Sequence, residues 1–224
     1  MMFQRGEIAL YYEKTGCGAP IILLHGNSED SGIFDVLTRQ LAPHYTVYAL
    51  DSRDHGKSSK VQVLNYTDMM EDVAAFVQEL AIEQPIVLGF SDGGIIGLLL
   101  AMKYPEMLGK LIAIGVNTSP AAIKKRWLFA MKTVYFFTRS RKFKLMLTQP
   151  NMTAAQLNTI KTPTLILAGS NDVVSNAHTE YIAQNIPGST LKIMPGENHV
   201  SYVLHSEKLY GAIMPFLEEG KKLS

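Results

Sequence analysis

Cysteine is almost missing from the sequence: the 224 residues contain only Cys17. A single cysteine excludes an internal disulfide and any zinc site built from several cysteines, and it is typical of a reducing compartment. Long apolar runs are missing too, since the longest, residues 95–102, is far shorter than the roughly 18 residues that span a bilayer. The first residues, MMFQRGEIALYYEKTG, lack the apolar segment of a secretory signal. We therefore expect a soluble, cytoplasmic protein.

Acidic residues are absent from residues 117–171, which carry nine lysines and arginines. The whole chain is nearly neutral, with 21 basic and 20 acidic residues and a formal charge of +1. This overall balance gives no reason to expect a nucleic-acid partner. The remaining 12 basic and 20 acidic residues leave the rest of the chain at −8. The sequence therefore predicts a basic segment attached to an acidic body.

Short apolar runs alternate with amphipathic segments along most of the chain, which is typical of repeated strand and helix units. Near-continuous apolar strands favour a mostly parallel sheet, and we expect an α/β fold with helices flanking this sheet on both faces. The first two strands, separated by a turn, are expected to form a hairpin or to lie side by side. The predicted strands are residues 7–13, 20–24, 45–50, 85–90, 108–116, 163–169 and 189–194, and the predicted helices are 32–41, 67–80, 94–104, 175–185 and 207–218.

Residues 117–158 interrupt this alternation with basic and aromatic helical material. We expect them to form a small basic helical cap, inserted into an α/β core made of residues 1–116 and 159–224. Trp127 is the candidate for a substrate contact. Apolar residues that recur at helical spacing predict one apolar face of the cap over the reactive end of the sheet; they are Ile123, Trp127, Ala130, Met131, Val134 and Phe137.

The positive charge of the cap has three interpretations. The first is a solvated face attracted to the acidic body or to another subunit. The second is a field that draws in an anionic substrate. The third is an amphipathic surface that contacts a membrane or lipid. The sequence leaves all three open.

A strand that runs directly into a helix carries the segment Gly89-Phe90-Ser91-Asp92-Gly93. In the pattern G-x-S-x-G the turn holds the serine in a strained backbone conformation, and larger side chains at the glycines would collide with the neighbouring strand and helix. A serine hydroxyl becomes a good nucleophile when a base takes its proton, and histidine suits that task at neutral pH. Ser91 is therefore the predicted nucleophile.

His199 and Asp172 are the predicted partners of Ser91. Each follows a predicted strand, and the chain order serine, aspartate, histidine is the order expected for this arrangement. The aspartate is needed to orient the imidazole and to stabilise its charged form. Asp51, which also ends a strand, is the main rival of Asp172; with Arg53 nearby we interpret it as part of a loop-organising ion pair.

Two backbone N–H groups are predicted to form an oxyanion hole, which stabilises the negative charge that develops during acyl transfer. One belongs to Asp92, directly after Ser91. The other belongs to Asn27, in the loop His25-Gly26-Asn27 that follows a predicted strand. The direction of the Asn27 side chain is left open by the sequence.

Five segments together resemble the α/β-hydrolase fold family, of the small serine esterase type. They are LLHGN, DSRDHGKS, GFSDGG, GSND and GENH. The segment SDGGIIGLLLAMKYP is also similar to the corresponding region of valacyclovir-hydrolase-like esterases. The resemblance implies an α/β-hydrolase fold and serine esterase activity.

The residues and the resemblance together predict a serine hydrolase that cleaves a small to medium carboxylic ester through an acyl-enzyme. We expect a small-molecule ester partner, no metal or organic cofactor, and a monomer or homodimer. Thioesterase, amidase, carbon–carbon hydrolase, perhydrolase and acyltransferase activities would use the same triad. The alternative outside the enzymes is a non-catalytic protein of the same fold that binds a small ligand.

Overall fold

A computed structural model describes residues 1–219 of the chain. Eight strands form one sheet, and helices pack against both of its faces. The strands are β1 (Met2–Arg5), β2 (Ile8–Thr15), β3 (Ala19–Leu24), β4 (Tyr45–Leu50), β5 (Ile86–Phe90), β6 (Lys110–Ile114), β7 (Thr164–Gly169) and β8 (Thr190–Met194). The helices are α1 (Asp35–Leu41), α2 (Tyr66–Glu79), α3 (Asp92–Lys103), α4 (Lys125–Thr138), α5 (Arg141–Thr148), α6 (Ala154–Leu157), α7 (Asn176–Asn185) and α8 (Lys208–Glu218), with short 3-10 turns at Ser31–Phe34 and Pro120–Ala122.

The sheet has the strand order β1-β2-β4-β3-β5-β6-β7-β8. From β4 to β8 every neighbouring pair is parallel, whereas β1 and β2 are antiparallel to each other and β2 is antiparallel to β4. The central strands are almost wholly buried because helices cover both sides of them. The predicted fold class, a mostly parallel α/β sheet flanked by helices, is confirmed.

Two hydrophobic layers hold the helices to the sheet. Val73 of α2 and Leu98 of α3 belong to the buried cluster on one face. Leu37 of α1 and Ile213 of α8 belong to the cluster on the other face. Burying each such side chain contributes about 1.5 to 3 kcal/mol, so the amphipathic pattern of these helices decides which way each one faces.

The predicted pairing of the first two apolar runs is wrong. The strand β2 forms a hairpin with β1, a strand that the sequence analysis missed, and β4 lies between β2 and β3. The turn after β2 crosses the start of β4, because a Cβ atom at Gly16 would lie 2.3 Å from the Tyr45 carbonyl oxygen, and one at Gly18 would lie 2.4 Å from that of His44. The two glycines thus let the chain pass beside β4 instead of folding back onto β2.

The long connection between β6 and β7 contains α4, α5 and α6. An isolated bridge joins Ile123, just before α4, to Val174 after β7. The boundaries of the cap at residues 117 and 158 stay a prediction. In the described part of the chain, none of the helices combines the length and the apolar character needed to cross a membrane.

Candidate active site

Ser91 lies in the sharp turn between β5 and α3. Its backbone has a φ of 51° and a ψ of −114°, a conformation that is strained for a residue with a side chain. The Ser91 N–H donates a hydrogen bond of 2.7 Å to the carbonyl oxygen of Ile114 in β6. This bond ties the strained turn to the neighbouring strand, and the serine side chain lines a cavity at the carboxyl ends of the strands.

The two glycines around Ser91 are required by close backbone contacts. A Cβ atom at Gly89 would lie 2.2 Å from the carbonyl oxygen of Gly93. A Cβ atom at Gly93 would lie 2.0 Å from the carbonyl oxygen of Leu24 in β3. Both distances are far inside van der Waals contact, so the packing of α3 against β3 and β5 explains the G-x-S-x-G spacing.

The structure brings the side chains of Ser91, Asp172 and His199 together. The Nε2 atom of His199 lies 3.2 Å from the Oγ of Ser91, and its Nδ1 atom lies 2.7 Å from Oδ1 of Asp172. Asp172 is fully buried in the loop after β7, and its Oδ1 also accepts the N–H of Val174 at 3.0 Å. Parallel strands end at the same edge of the sheet, which is why residues 81 and 27 positions apart along the chain meet here.

Asp51, the rival carboxylate, is bound elsewhere. Its two oxygens accept the backbone N–H groups of Ser31 and Lys57, each at 2.8 Å. The predicted ion pair of Asp51 with Arg53 is wrong, because Arg53 reaches α2 and binds Asp72 through two hydrogen bonds of 2.6 Å. Asp51 therefore organises the loop through backbone donors, and the buried charge of Arg53 is neutralised by a different carboxylate.

The loop that holds Asn27 is fastened to the start of α3. The Asn27 side chain is held by two hydrogen bonds within the protein. Its Nδ2 donates to Oδ2 of Asp92 at 2.9 Å and to the Lys142 carbonyl oxygen at 3.3 Å. The Tyr66 hydroxyl donates to the other Asp92 oxygen at 2.7 Å. Burial raises the pKa of the Asp92 carboxyl. Within residues 1–219, no protein acceptor takes the backbone N–H of Asn27 or of Asp92.

His25 fixes the other side of this loop. Its Nε2 accepts the N–H of Ser52 at 3.0 Å, so the proton of the neutral ring is on Nδ1, which lies 2.7 Å from the Gly26 carbonyl oxygen. Burial lowers the pKa of His25 and keeps the ring neutral. The histidine is therefore a structural support for the loop that precedes Asn27.

Glu29 places a carboxyl group in the wall of the cavity. Its Oε2 accepts the N–H of Gly26 at 3.0 Å. The pKa of Glu29 is raised to about 7, mainly by burial and also by the charges of Asp92 and Asp30, while the Gly26 N–H and His199 act in the opposite direction. The site therefore contains an acid that changes its charge in the neutral pH range.

The cavity has a volume of about 360 Å³ and is lined mainly by apolar side chains. Ser91 and His199 line it, and so does the predicted contact residue Trp127 of α4, together with Ala130, Met131 and Val134. Phe137, which was predicted on the same face of α4, is 78% exposed and lies outside the lining. No lysine or arginine of residues 1–219 belongs to the lining.

Sequence reasoning missed several residues of the site. Glu29 and Tyr66 line the cavity together with Ser91, and the Lys142 carbonyl oxygen accepts a hydrogen bond from Asn27; only the fold brings these three segments together. Gly115 was also missed: its φ is +62°, and a Cβ atom there would lie 2.8 Å from Cε1 of His199. A glycine directly after a buried strand was the one available signal for it. In the described residues, no group of three or more histidine, cysteine or acidic side chains is arranged to hold a metal ion.

Comparison with known proteins agrees with the geometry of the sheet. Residues 19–145 match the model of a family described as the alpha/beta hydrolase fold. The chain therefore belongs to the α/β-hydrolase fold family, and the resemblance noted from the five sequence segments is confirmed.

Two relatives match the chain over most of its length. A pimeloyl-[acyl-carrier protein] methyl ester esterase of Nitrosospira multiformis is 24% identical. The alignment is 264 positions long, gaps included, and covers 94% of this chain and 99% of that protein. The serine hydrolase BPHL of Homo sapiens is 26% identical. That alignment is 247 positions long, gaps included, and covers 94% of this chain and 84% of that protein. The predicted enzyme class, a hydrolase, is confirmed by the family and by these relatives.

A solved structure shows the same fold. The enol-lactonase from Burkholderia xenovorans superimposes with a TM-score of 0.82 at 17% sequence identity. The match covers 98% of this chain and 100% of that one. At this identity the comparison shows the fold alone.

Gly93→Ala tests the close contact beneath Ser91. We expect it to lower the free energy of unfolding by at least ~2 kcal/mol, because the new methyl group would overlap the Leu24 carbonyl and force α3 away from β3. Gly211→Ala is the matched control: it lies in α8 with open space around its Cβ position, so it should stabilise by up to about 1 kcal/mol. Chemical denaturation measures both. Equal unfolding free energies for the two variants would contradict the packing argument.

Glu29→Gln tests the buried carboxyl through the pH dependence of stability. Glu29 has an ordinary pKa of 4.5 and a folded-state pKa of about 7. The stability that its bound proton contributes is therefore present below about 4.5 and is lost as the pH rises through about 7. Glutamine stays neutral, so the variant should have a higher Tm than the parent at pH about 8 and nearly the same Tm at pH about 4.5.

The control for this experiment is Glu83→Gln, which removes an exposed carboxylate in the connection between α2 and β5. It should change Tm by a similar small amount at both pH values. A difference between the Glu29→Gln variant and the parent that is the same at both pH values would show that Glu29 is not a perturbed acid.

Proposed function

We propose that the protein is a serine hydrolase that cleaves a small to medium carboxylic ester through an acyl-enzyme. The observation that carries the proposal is the chain of contacts from Ser91 through His199 to Asp172, at 3.2 Å and 2.7 Å, in the wall of an apolar cavity. A nucleophile in contact with a base, and a base oriented by a carboxylate, is the arrangement needed for nucleophilic catalysis by serine.

His199 is the general base of the proposed mechanism. A carboxylate such as Asp172 only accepts hydrogen bonds, so it selects the imidazole tautomer with the proton on Nδ1. The lone pair on Nε2 then faces the Ser91 hydroxyl. As the Ser91 oxygen attacks the ester carbonyl carbon, His199 takes the hydroxyl proton, and it later returns that proton to the leaving alcohol.

The backbone N–H groups of Asn27 and Asp92 form the proposed oxyanion hole. Both are free of protein acceptors in the described chain, and the bond between the Asn27 and Asp92 side chains holds the two peptides in a fixed relation. Donors that are already in place when charge develops on the carbonyl oxygen lower the barrier, and one such donor contributes on the order of a hundredfold or more in rate. Water then attacks the acyl-enzyme by the reverse sequence of proton transfers.

The proposed substrate is an ester with a neutral, apolar acyl group. A cavity of about 360 Å³ is near the lower end of the range for small-molecule sites. Its lining contains the carboxyl of Glu29, and none of the cationic side chains described in residues 1–219. An acid-bearing acyl group would therefore meet a like charge once Glu29 ionises, which argues against the interpretation that the basic segment attracts an anionic substrate.

The name of one relative supports ester hydrolysis, and that of the other supports a serine hydrolase. One is named as a methyl ester esterase and another as a serine hydrolase, and each is matched along most of its length. We further propose that residues 117–158 act as the cap of the site, because Trp127, Met131 and Val134 of α4 line the same cavity as Ser91.

Asp172→Asn tests the proposed roles directly. The variant should fold, because asparagine has the same shape, and should lose about 10⁴-fold in kcat toward a nitrophenyl ester, because the wrong imidazole tautomer would face Ser91. The readouts are kcat and covalent labelling by a fluorophosphonate, which should be fast in the parent, slow in this variant and absent in Ser91→Ala.

The matched control is Glu197→Gln, which removes a carboxylate two residues from His199 that binds Ser201 and Lys208 instead of the imidazole. It should keep the parent activity. Full activity in Asp172→Asn would assign the orienting role to another carboxylate, and an unlabelled parent protein would favour a ligand-binding protein without catalysis.

A further inference from the structure

Helix α4 is unusual because its apolar residues are not buried. Nine of its 14 residues are apolar, yet in this fully described helix none of them is buried against the body. By contrast, α8 buries five of its 11 residues. The apolar side chains of α4 are therefore stabilised little by packing within the chain. Exposed apolar side chains of this kind indicate a surface that binds a partner.

The helix has two distinct faces. Trp127, Met131 and Val134 face the cavity. On the opposite side, Lys125, Phe129, Lys132 and Phe136 follow one another at intervals of four, three and four residues, which places them in one row along the helix. We call these four residues the outer stripe.

The phenylalanines of the outer stripe are strongly exposed. Phe129 is 73% exposed and Phe136 is 63% exposed, and the adjacent Phe137 is 78% exposed. Phe136 and Phe137 pack edge to face, with ring centroids 5.2 Å apart, and the Arg139 guanidinium lies 5.4 Å from the Phe136 ring. Adjacent exposed aromatic side chains of this size mark a surface that binds something apolar.

Positive charge surrounds the outer stripe. Residues 117–171 contain no acidic residue. At the end of α4, Arg139 also lines a polar cavity of about 440 Å³ with Lys60, Arg141 and Lys142, where Asp54 is paired with Arg141 at 3.2 Å. The partner of this surface must therefore combine negative charge with an apolar phase.

A second copy of the chain fits this surface poorly. In a two-fold symmetric dimer through α4, the outer stripe would face its own equivalent, and Lys125 and Lys132 of both copies would repel each other. A phospholipid surface meets both requirements, since its headgroups are anionic and its interface accepts aromatic rings. We propose that the outer stripe binds the surface of an anionic phospholipid bilayer, with the phenylalanine rings in the interface and the lysines on the phosphates.

Sedimentation with lipid vesicles tests this inference, using the full chain and vesicles of phosphatidylcholine alone or mixed with phosphatidylglycerol. The protein should bind the mixed vesicles, bind the neutral ones weakly, and be released as the ionic strength rises. Lys125→Gln with Lys132→Gln should lower the partition coefficient roughly fivefold per lysine. Phe129→Ser with Phe136→Ser should lower it at least about tenfold, also at low salt.

The charge-matched control is Lys14→Gln with Lys161→Gln, which removes two exposed lysines away from α4. Val63→Ser is the control for an exposed apolar side chain, at 69% exposure. Both should bind vesicles like the parent, and all variants should keep the parent Tm, because none of these side chains is buried.

Two results would overturn the proposal. One is the failure of the parent protein to bind mixed vesicles at low salt. The other is self-association that the phenylalanine substitutions abolish, measured by analytical ultracentrifugation without lipid, because it would assign the outer stripe to a second copy of the chain. Neither result bears on ester hydrolysis, since the outer stripe faces away from the cavity.

Discussion

The reactive end of the molecule depends on the backbone conformation of Ser91. A positive φ costs on the order of 1 to 3 kcal/mol for a residue with a side chain, and here the surrounding packing maintains it. The Ser91 N–H is bound to β6, and the glycines at 89 and 93 let α3 come into contact with β3 and β5. If the turn relaxed, the serine hydroxyl would leave the position from which it contacts His199.

The parallel sheet brings the other residues of the site close to Ser91. Because β3, β5, β7 and β8 are parallel, the loops after them meet at one edge, and they supply Asn27, Ser91, Asp172 and His199. Hydrogen bonds then fix the conformation of these loops. In the loop after β7, for example, Asp172 accepts the Val174 N–H in addition to binding the imidazole. The precision of the site thus comes from strand order first and from buried polar contacts second.

The parts of the fold and site that depend on local pattern could be predicted from the sequence. The turn at Ser91 is such a part, since strand, glycines and helix are contiguous. Contacts that no sequence motif marks could not be predicted: the bond of Asn27 to Asp92, the carboxyl of Glu29 in the cavity and the pairing of Arg53 with Asp72 depend on where these segments lie in space. The strand β1 was missed because four residues are too few for a clear alternation.

The segment that follows β6 has two separate tasks in this account. One face of α4 lines the cavity, and the other carries exposed phenylalanines among lysines. This division explains why the positive charge of the chain is concentrated in one segment while the cavity itself is apolar. It also separates the surface that we assign to lipid from the groups that we assign to ester chemistry.

The most direct test of the account is the mass of the protein during turnover of a nitrophenyl ester, measured after rapid acid quenching and followed by peptide mapping. The account predicts a transient increase equal to one acyl group, located on the peptide that contains Ser91. Ester hydrolysis at an unchanged rate without any acylated protein, or with the acyl group on another residue, would contradict it.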